Sequence, residues 1–139
     1  VKDPYGTVLV LIRDASAVSA VVGSGANAKV SNRAEAPPCV QLIDQVSTRR
    51  PTGVGSGRLG LQLWQAIARC YGPDAVGGDV TARSLAGAVS DALDGRHSVA
   101  GASSNFLVRV YAPELDGVFR DPVTKWPYYD VRLEVYAGA

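Results

Sequence analysis

The sequence predicts an α+β protein: a mostly antiparallel sheet with a long β-hairpin arm, and helices packed on one face. Three observations carry this expectation. Tyr129, Val131, Leu133 and Val135 alternate with Asp130, Arg132 and Glu134, the signature of an antiparallel strand with one face on a core and one face wet. Ala82, Leu85, Ala86, Val89 and Leu93 recur at helical spacing, which gives one apolar stripe to lay against a sheet. The order of such segments along the chain is helix, helix, strands, helix, strands, a layered α+β arrangement.

The 139 residues fit one domain, a size that buries roughly 68–70% of its unfolded surface. Apolar residues make up 47%, charged residues 19%, and the net charge is +1. That balance excludes a disordered acidic or basic chain and supplies no long-range attraction to nucleic acid or to a membrane. The longest apolar run, residues 8–12, is too short to cross a bilayer. No signal peptide is expected, and composition alone reads as a soluble, intracellular domain.

The first helix is expected to start at Asp3 as N-cap with Pro4 in the tolerated first position, burying Val8, Leu11 and Ile12. Asp14 is expected to cap a second short helix with Val18, Val21 and Val22 on its inner face, stopped at Gly23. Residues 24–38 read as an irregular connection with a short strand at 28–31. Residues 39–46 read as a strand with Val40, Leu42 and Val46 on one face and Cys39, Gln41, Ile43 and Gln45 on the other. Residues 59–71 alternate as well: Leu59, Leu61, Leu63 and Ile67 against Trp64, Ala66, Ala68 and Cys70. A helix over 61–70 remains the alternative there, although it leaves Gly60 unexplained. Between these strands, residues 47–58 hold Gly53, Gly55, Gly57, Pro51 and three arginines. They read as a flexible hairpin tip, because so long and glycine-rich a stretch is no tight turn.

Asp79 is expected to cap the long helix and Gly95 to end it. Arg83, Ser84, Ser90 and Asp91 form its solvated side. A strand follows at 106–111, carried by Phe106, Val108 and Val110. Residues 112–127 read as a loop with two turn signals, and the last strand begins near Tyr129.

Chemistry-bearing residues are few. His97, the single histidine, stands in a Gly/Ser-rich loop with no nucleophile or orienting partner placed by spacing, and reads as a surface residue. Cys39, Cys70 and His97 lack the spacing of a zinc site, so no metal is expected. The cysteines read as small buried hydrophobes in the reduced state; a disulfide requires a strand register that the sequence does not fix. The glycine clusters 23–25 and 53–57 lack the strand-before, helix-after context of a phosphate loop. The carboxylates Asp91, Asp94, Glu114 and Asp116 read as caps and turns. No catalytic residue and no cofactor is therefore expected. Arg49, Arg50 and Arg58 are the most suggestive polar group: on a flexible loop they suit an acidic partner or a phosphate backbone as well as simple solvation.

Several short motifs add a family likeness. The strand end Arg69-Cys70-Tyr71-Gly72 followed by the helix pattern from Ala82 to Leu93, the entry Pro37-Pro38-Cys39-Val40, and the run Asp121-Pro122-Val123-Thr124-Lys125-Trp126-Pro127 before the last strand resemble the tail terminator proteins of long-tailed bacteriophages, in particular those of actinobacterial phages. The resemblance covers most of the chain; the segment 72–79 is longer than the family's turn. It implies a non-enzymatic virion protein that assembles as a hexameric ring on the head-proximal end of the tail tube. Such a ring stops tube polymerisation and presents a docking surface for the head connector, and the genome passes through it without sequence-specific binding. The partners implied are other copies of the chain, the tail tube protein and a connector or adaptor, with no membrane. A head–tail joining adaptor on the portal side is the alternative. A small enzyme or ligand-binding domain is a third reading, and it lacks a cluster of convergent polar groups. The residues expected to touch partners are Arg49, Arg50 and Arg58 at the hairpin tip, together with Trp126 and Tyr128, aromatics at a loop-to-strand transition.

Overall fold

In the computed structural model, residues 4–25, 28–50, 61–96, 107–111 and 119–137 are described. Three helices, α1 (Pro4–Asp14), α2 (Ser16–Val22) and α3 (Gly78–Leu93), accompany six strands: β1 (Val30–Ser31), β2 (Cys39–Arg50), β3 (Leu61–Tyr71), β4 (Leu107–Tyr111), β5 (Phe119–Arg120) and β6 (Pro127–Ala137). The strands form one sheet in the order β1-β2-β3-β6-β4, with β5 also paired to β6. All neighbours are antiparallel except β1 and β2. The fold is thus α+β with a mostly antiparallel sheet, as expected.

The helices share one face of the sheet. Val8, Ile12, Val18 and Val22 of α1 and α2 join Ala82, Leu85, Ala86, Val89 and Leu93 of α3 in a core closed by Val40, Leu42, Trp64, Ala66, Ala68, Cys70, Val131, Leu133 and Val135. The stripe on α3 is the one its spacing predicts. Tyr5 stands edge-on to Trp64 at 5.8 Å and donates to the Leu42 carbonyl at 3.1 Å. Arg13 donates twice to the Val30 carbonyl, at 2.9 and 3.2 Å, so α1 is pinned along β1 and β2. Trp64 donates its indole N–H to the Asp44 carboxylate.

Several local expectations need correction. Asp14 ends α1 instead of capping α2, whose N-cap is Ala15 with no side-chain bond. Gly77, not Asp79, precedes α3; its φ of 84° is a conformation that suits glycine, and Asp79 lies in the first turn beside the exposed helix N-terminus. Gly95 does follow the helix with φ 73°. The short strand narrows to β1 and pairs in parallel, Val30 opposite Val40.

Residues 61–71 are strand and not helix, because β2 and β6 pair with them on both sides. Leu59 and the remainder of 51–60 lie outside the described residues. The stretch 47–50 is not part of a tip: β2 continues to Arg50, opposite Leu61. The register slips between Asp44 and Val46, so Asp44 falls opposite Ala66 and Val46 opposite Gln65. A two-residue strand, β5, stands inside what the sequence reads as loop.

Cys39 lies opposite Tyr71 and Cys70 opposite Val40. One residue of offset sends their side chains to opposite faces of the pleat, and both are free thiols. Burial pushes both thiols up from their ordinary range, Cys70 most strongly. The segments 97–106 and 112–118, with His97, Phe106, Glu114 and Asp116, lie outside the described residues.

Candidate partner-binding surface

The end of the sheet where β3 finishes and β6 begins gathers the densest set of side-chain contacts outside the core. Asp121 starts it. Its Oδ1 accepts from the backbone N–H of Val123 at 2.8 Å and of Thr124 at 3.0 Å. Those two amides hold its carboxyl below the ordinary carboxylate range. The Lys125 N–H donates to the Asp121 carbonyl at 2.9 Å, and the Asp121 N–H to the Trp126 carbonyl at 3.0 Å. Lys125 adopts φ 64° to close the loop. The run that begins Asp-Pro is therefore a self-capped turn joining β5 to β6.

Trp126 and Tyr128, the two aromatics singled out by the sequence, are half-buried here. Trp126 stands edge-on to Tyr71, with centroids 5.8 Å apart. Tyr71 meets Tyr128 at 5.7 Å, and Tyr128 stacks on Phe119 at 6.0 Å. The Arg69 guanidinium lies 4.3 Å over the Tyr128 ring while it grips Asp130 in a fork of 2.8 and 3.1 Å. That carboxylate raises the Arg69 pKa further above its already high value, so the cation is permanent. Tyr71 donates to Gln41 at 3.4 Å, and burial raises its phenol pKa.

The loop 72–77 is fastened to this cluster from the other side. Gly72 donates to the Pro127 carbonyl at 2.9 Å. Arg120 reaches Asp74 at 3.4 Å and Asp79 at 3.3 Å and also donates to the Lys125 carbonyl. Two glycines permit the crossing: a Cβ on Gly72 meets the Gly78 carbonyl oxygen at 2.0 Å, and one on Gly78 meets the Pro73 carbonyl oxygen at 1.9 Å. Onto this rigid base the chain places apolar groups in water: Phe119 is 57% exposed, Val123 86%, Val80 68%, and Val76 fully. Such a group of apolar side chains around fixed charges suits contact with a macromolecule more than chemistry on a small one.

Of the residues expected to touch partners, Trp126 and Tyr128 are brought together and serve to hold the platform; the groups displayed to solvent are Phe119 and Val123. Arg49 and Arg50 occupy the last two positions of β2, opposite Gln62 and Leu61, and Arg58 lies outside the described residues. Sequence reasoning missed Phe119, Arg120 and the Arg69–Asp130 pair. The turn at Asp121-Pro122 marked where the chain reverses, but β5 is only two residues long and exists through its pairing with β6, which no local pattern carries. The Arg69–Asp130 pairing needed the register between β3 and β6, which no local pattern carries. Among the described residues no group of three or more His, Cys, Asp or Glu side chains is placed to hold a metal ion, and no single helix is long and apolar enough to cross a membrane.

No protein-family model matches the sequence, and no curated protein matches it significantly. The fold is similar to that of a chain in the solved virion of a native gene transfer agent particle, with a TM-score of 0.65 and 16% sequence identity, over 99% of this chain and 100% of that one.

Proposed function

We propose that this chain is a structural virion protein of a phage-type particle, and that it acts as the terminator of the tail tube. In this reading copies of the chain close a ring, six-fold by the family likeness, on the head-proximal end of the tube. The ring stops further polymerisation and offers a surface to the head connector, while the genome passes through its centre unread. The chain works by contact and not by catalysis.

The observation that supports this most is the fold likeness to a chain of a gene transfer agent virion, which runs the full length of both proteins. Two of the sequence motifs that resemble tail terminators, Tyr71-Gly72 and the Asp121–Pro127 turn, lie where the contact platform is organised, and the third, the α3 stripe, lies in the core beneath the sheet. A near-neutral net charge suits a subunit recruited by shape rather than steered by its field. A ring requires two different surfaces that meet and close by rotation. The paired strands β2 and β3, with Arg49 and Arg50 in the last two positions of β2, supply a reach toward the tube or a neighbour.

Omission of the chain from particle assembly tests the reading. Electron micrographs are expected to show overlong tails without heads. Tails of normal length beside unjoined, filled heads point instead to a head–tail adaptor on the portal side, and normal particles contradict both. Arg49→Ser, Arg50→Ser and Arg58→Ser combined are expected to leave a folded subunit that caps tails poorly.

A further inference from the structure

The sheet has two outer edges, and they are finished differently. At the β4 edge the backbone is already paired. Val108 donates its N–H to the Arg96 carbonyl at 2.9 Å and accepts at its own carbonyl from Gly95 at 3.1 Å. The next outward amide, that of Val110, donates to the Asp94 carboxylate at 3.2 Å. β5, on the same side, is two residues long. The chain that leaves α3 thus closes this edge to a further strand.

The β2 edge is covered only at its start. β1 pairs with Val40 and Gln41, where the Val40 N–H donates to the Lys29 carbonyl at 2.9 Å, and the Leu42 carbonyl accepts from Tyr5. Beyond these positions no strand among the described residues lies outside β2, although β2 runs on to Arg50. The register identifies the backbone groups that remain. Val40 turns outward, so Gln41 and Ile43 turn toward Arg69 and Ile67 of β3. Gln65 has the same orientation as those two residues of β3, and it meets Val46 across the slip. Val46, Thr48 and Arg50 therefore bond inward, and the N–H and C=O groups of Ser47 and Arg49 point away from the sheet. Residues 46–50 offer about 17 Å of edge at roughly 3.4 Å each, the length of an ordinary strand.

Charge determines which strand fits. Arg49 and Arg50 end this edge, and the ladder sets Gln62 and Leu61 opposite them, with Ala137 beyond Gln62. No carboxylate stands beside either arginine in the ladder. Adjacent positions fall on alternate faces of a strand, so a strand added here meets one arginine on each face. Such a pair repels a basic segment and favours one with neighbouring acids. An antiparallel partner, the more stable pairing, brings its N-terminal end to the arginines.

We propose that the outer edge of β2 from Val46 to Arg50 is a strand-acceptor site for an extended segment of a partner protein, which adds antiparallel with acidic residues at its N-terminal end. The backbone of Ser47 and Arg49 supplies the bonds, and the two arginines supply the choice of partner. The site goes beyond the terminator reading and does not depend on it.

Ser47→Pro tests the edge, because it removes an outward N–H and leaves the bonds to β3 in place; proline is tolerated in that position on an edge strand. The probe is an acetylated, amidated hexapeptide of two glutamates followed by alternating valine and threonine. A second peptide carries two lysines in place of the glutamates. Each is titrated to about 1 mM into the isotopically labelled chain while backbone amide resonances and hydrogen exchange are followed. The acidic peptide is expected to shift the Ser47 and Arg49 amides and to slow their exchange about twofold at half-saturation, with Val108 and Val110 unchanged. The lysine peptide is expected to bind about tenfold more weakly or worse. Ser47→Pro, checked for folding by circular dichroism and urea unfolding, is expected to bind neither peptide. Arg49→Glu combined with Arg50→Glu is expected to reverse the preference, and it carries the test on its own if the proline variant unfolds. Absence of binding by the acidic peptide, equal binding of the two peptides, contact at the β4 edge, undiminished binding to folded Ser47→Pro, or a preference that does not reverse overturns the site. Tail capping is read separately by the particle experiment, so the terminator reading survives any of these results.

Discussion

Gly72→Ala tests whether the contact platform is one tightly built unit. An added methyl group would sit 2.0 Å from the Gly78 carbonyl oxygen and 2.9 Å from its carbon, whereas real Cβ atoms essentially never approach within 3.0 Å. Both sides of the clash are backbone, so β3 and the start of α3 must part by about 1 Å. Overpacking of this kind costs roughly 1–3 kcal/mol. The same movement strains the bond from Gly72 to the Pro127 carbonyl, worth about 1 kcal/mol. The lower entropy of an unfolded alanine returns about 0.4–1 kcal/mol. The net expectation is a loss of about 1–3.6 kcal/mol. With a urea slope of about 2 kcal/mol/M, the unfolding midpoint falls by about 0.5–1.8 M. Gly87→Ala is the control, since that glycine is exposed in α3 and a Cβ there meets nothing within 4 Å. It is expected to gain about 0.5–1 kcal/mol from helix propensity. A Gly72→Ala midpoint within 0.3 M of the parent (roughly 0.6 kcal/mol at that slope) at unchanged slope refutes the reasoning, as does a Gly87→Ala midpoint below the parent.

Other consequences are as direct. The Tyr129 hydroxyl is buried with no hydrogen-bond partner among the described residues, so Tyr129→Phe is expected to hold or raise stability, by up to about 1–2 kcal/mol, in the same urea titration. Cys39 and Cys70 are buried thiols with raised pKa values, so both are expected to resist a thiol reagent in the native protein and to react at the rate of unfolding; fast labelling of either contradicts the packing. The backbone amides of Thr124 and Val123 hold the Asp121 carboxyl below the ordinary carboxylate range, so those bonds are fully present above the pKa of an unfolded carboxyl and are lost as pH falls through the folded pKa. Amide exchange at Val123 and Thr124 is expected to lose protection in that acid window, and Asp121→Ala to remove it at neutral pH.

The layers of this fold are legible in the sequence because periodicity reports burial. The α3 stripe and the alternation in β6 each name their inner residues, and every one of them is buried. Boundaries and caps are less legible. Asp79 has the chemistry of an N-cap, yet Gly77 takes the position, because the chain enters the helix at φ 84°, a left-handed conformation that favours glycine. The inner face of β3 illustrates a different limit: Leu63 and Ile67 look like the core side, but Trp64, Ala66, Ala68 and Cys70 face the helices, and both sets are buried. Small residues face the helices because α3 packs close to the strand there, a fact of tertiary distance and not of local pattern.

The candidate surface was half legible. Trp126 and Tyr128 stood out as large aromatics near a turn, and they do organise the platform. Their partners Tyr71, Arg69 and Phe119 come from two other strands and are assembled by the sheet order. A single sequence carries no direct record of which strands are neighbours.

The mass of the purified chain in solution, alone and after mixing with tail tube subunits, bears most directly on the claim that this protein acts by assembling. The account predicts a defined oligomer that binds tube ends and arrests their growth at a fixed length. A monomer that leaves tube growth unchanged contradicts it.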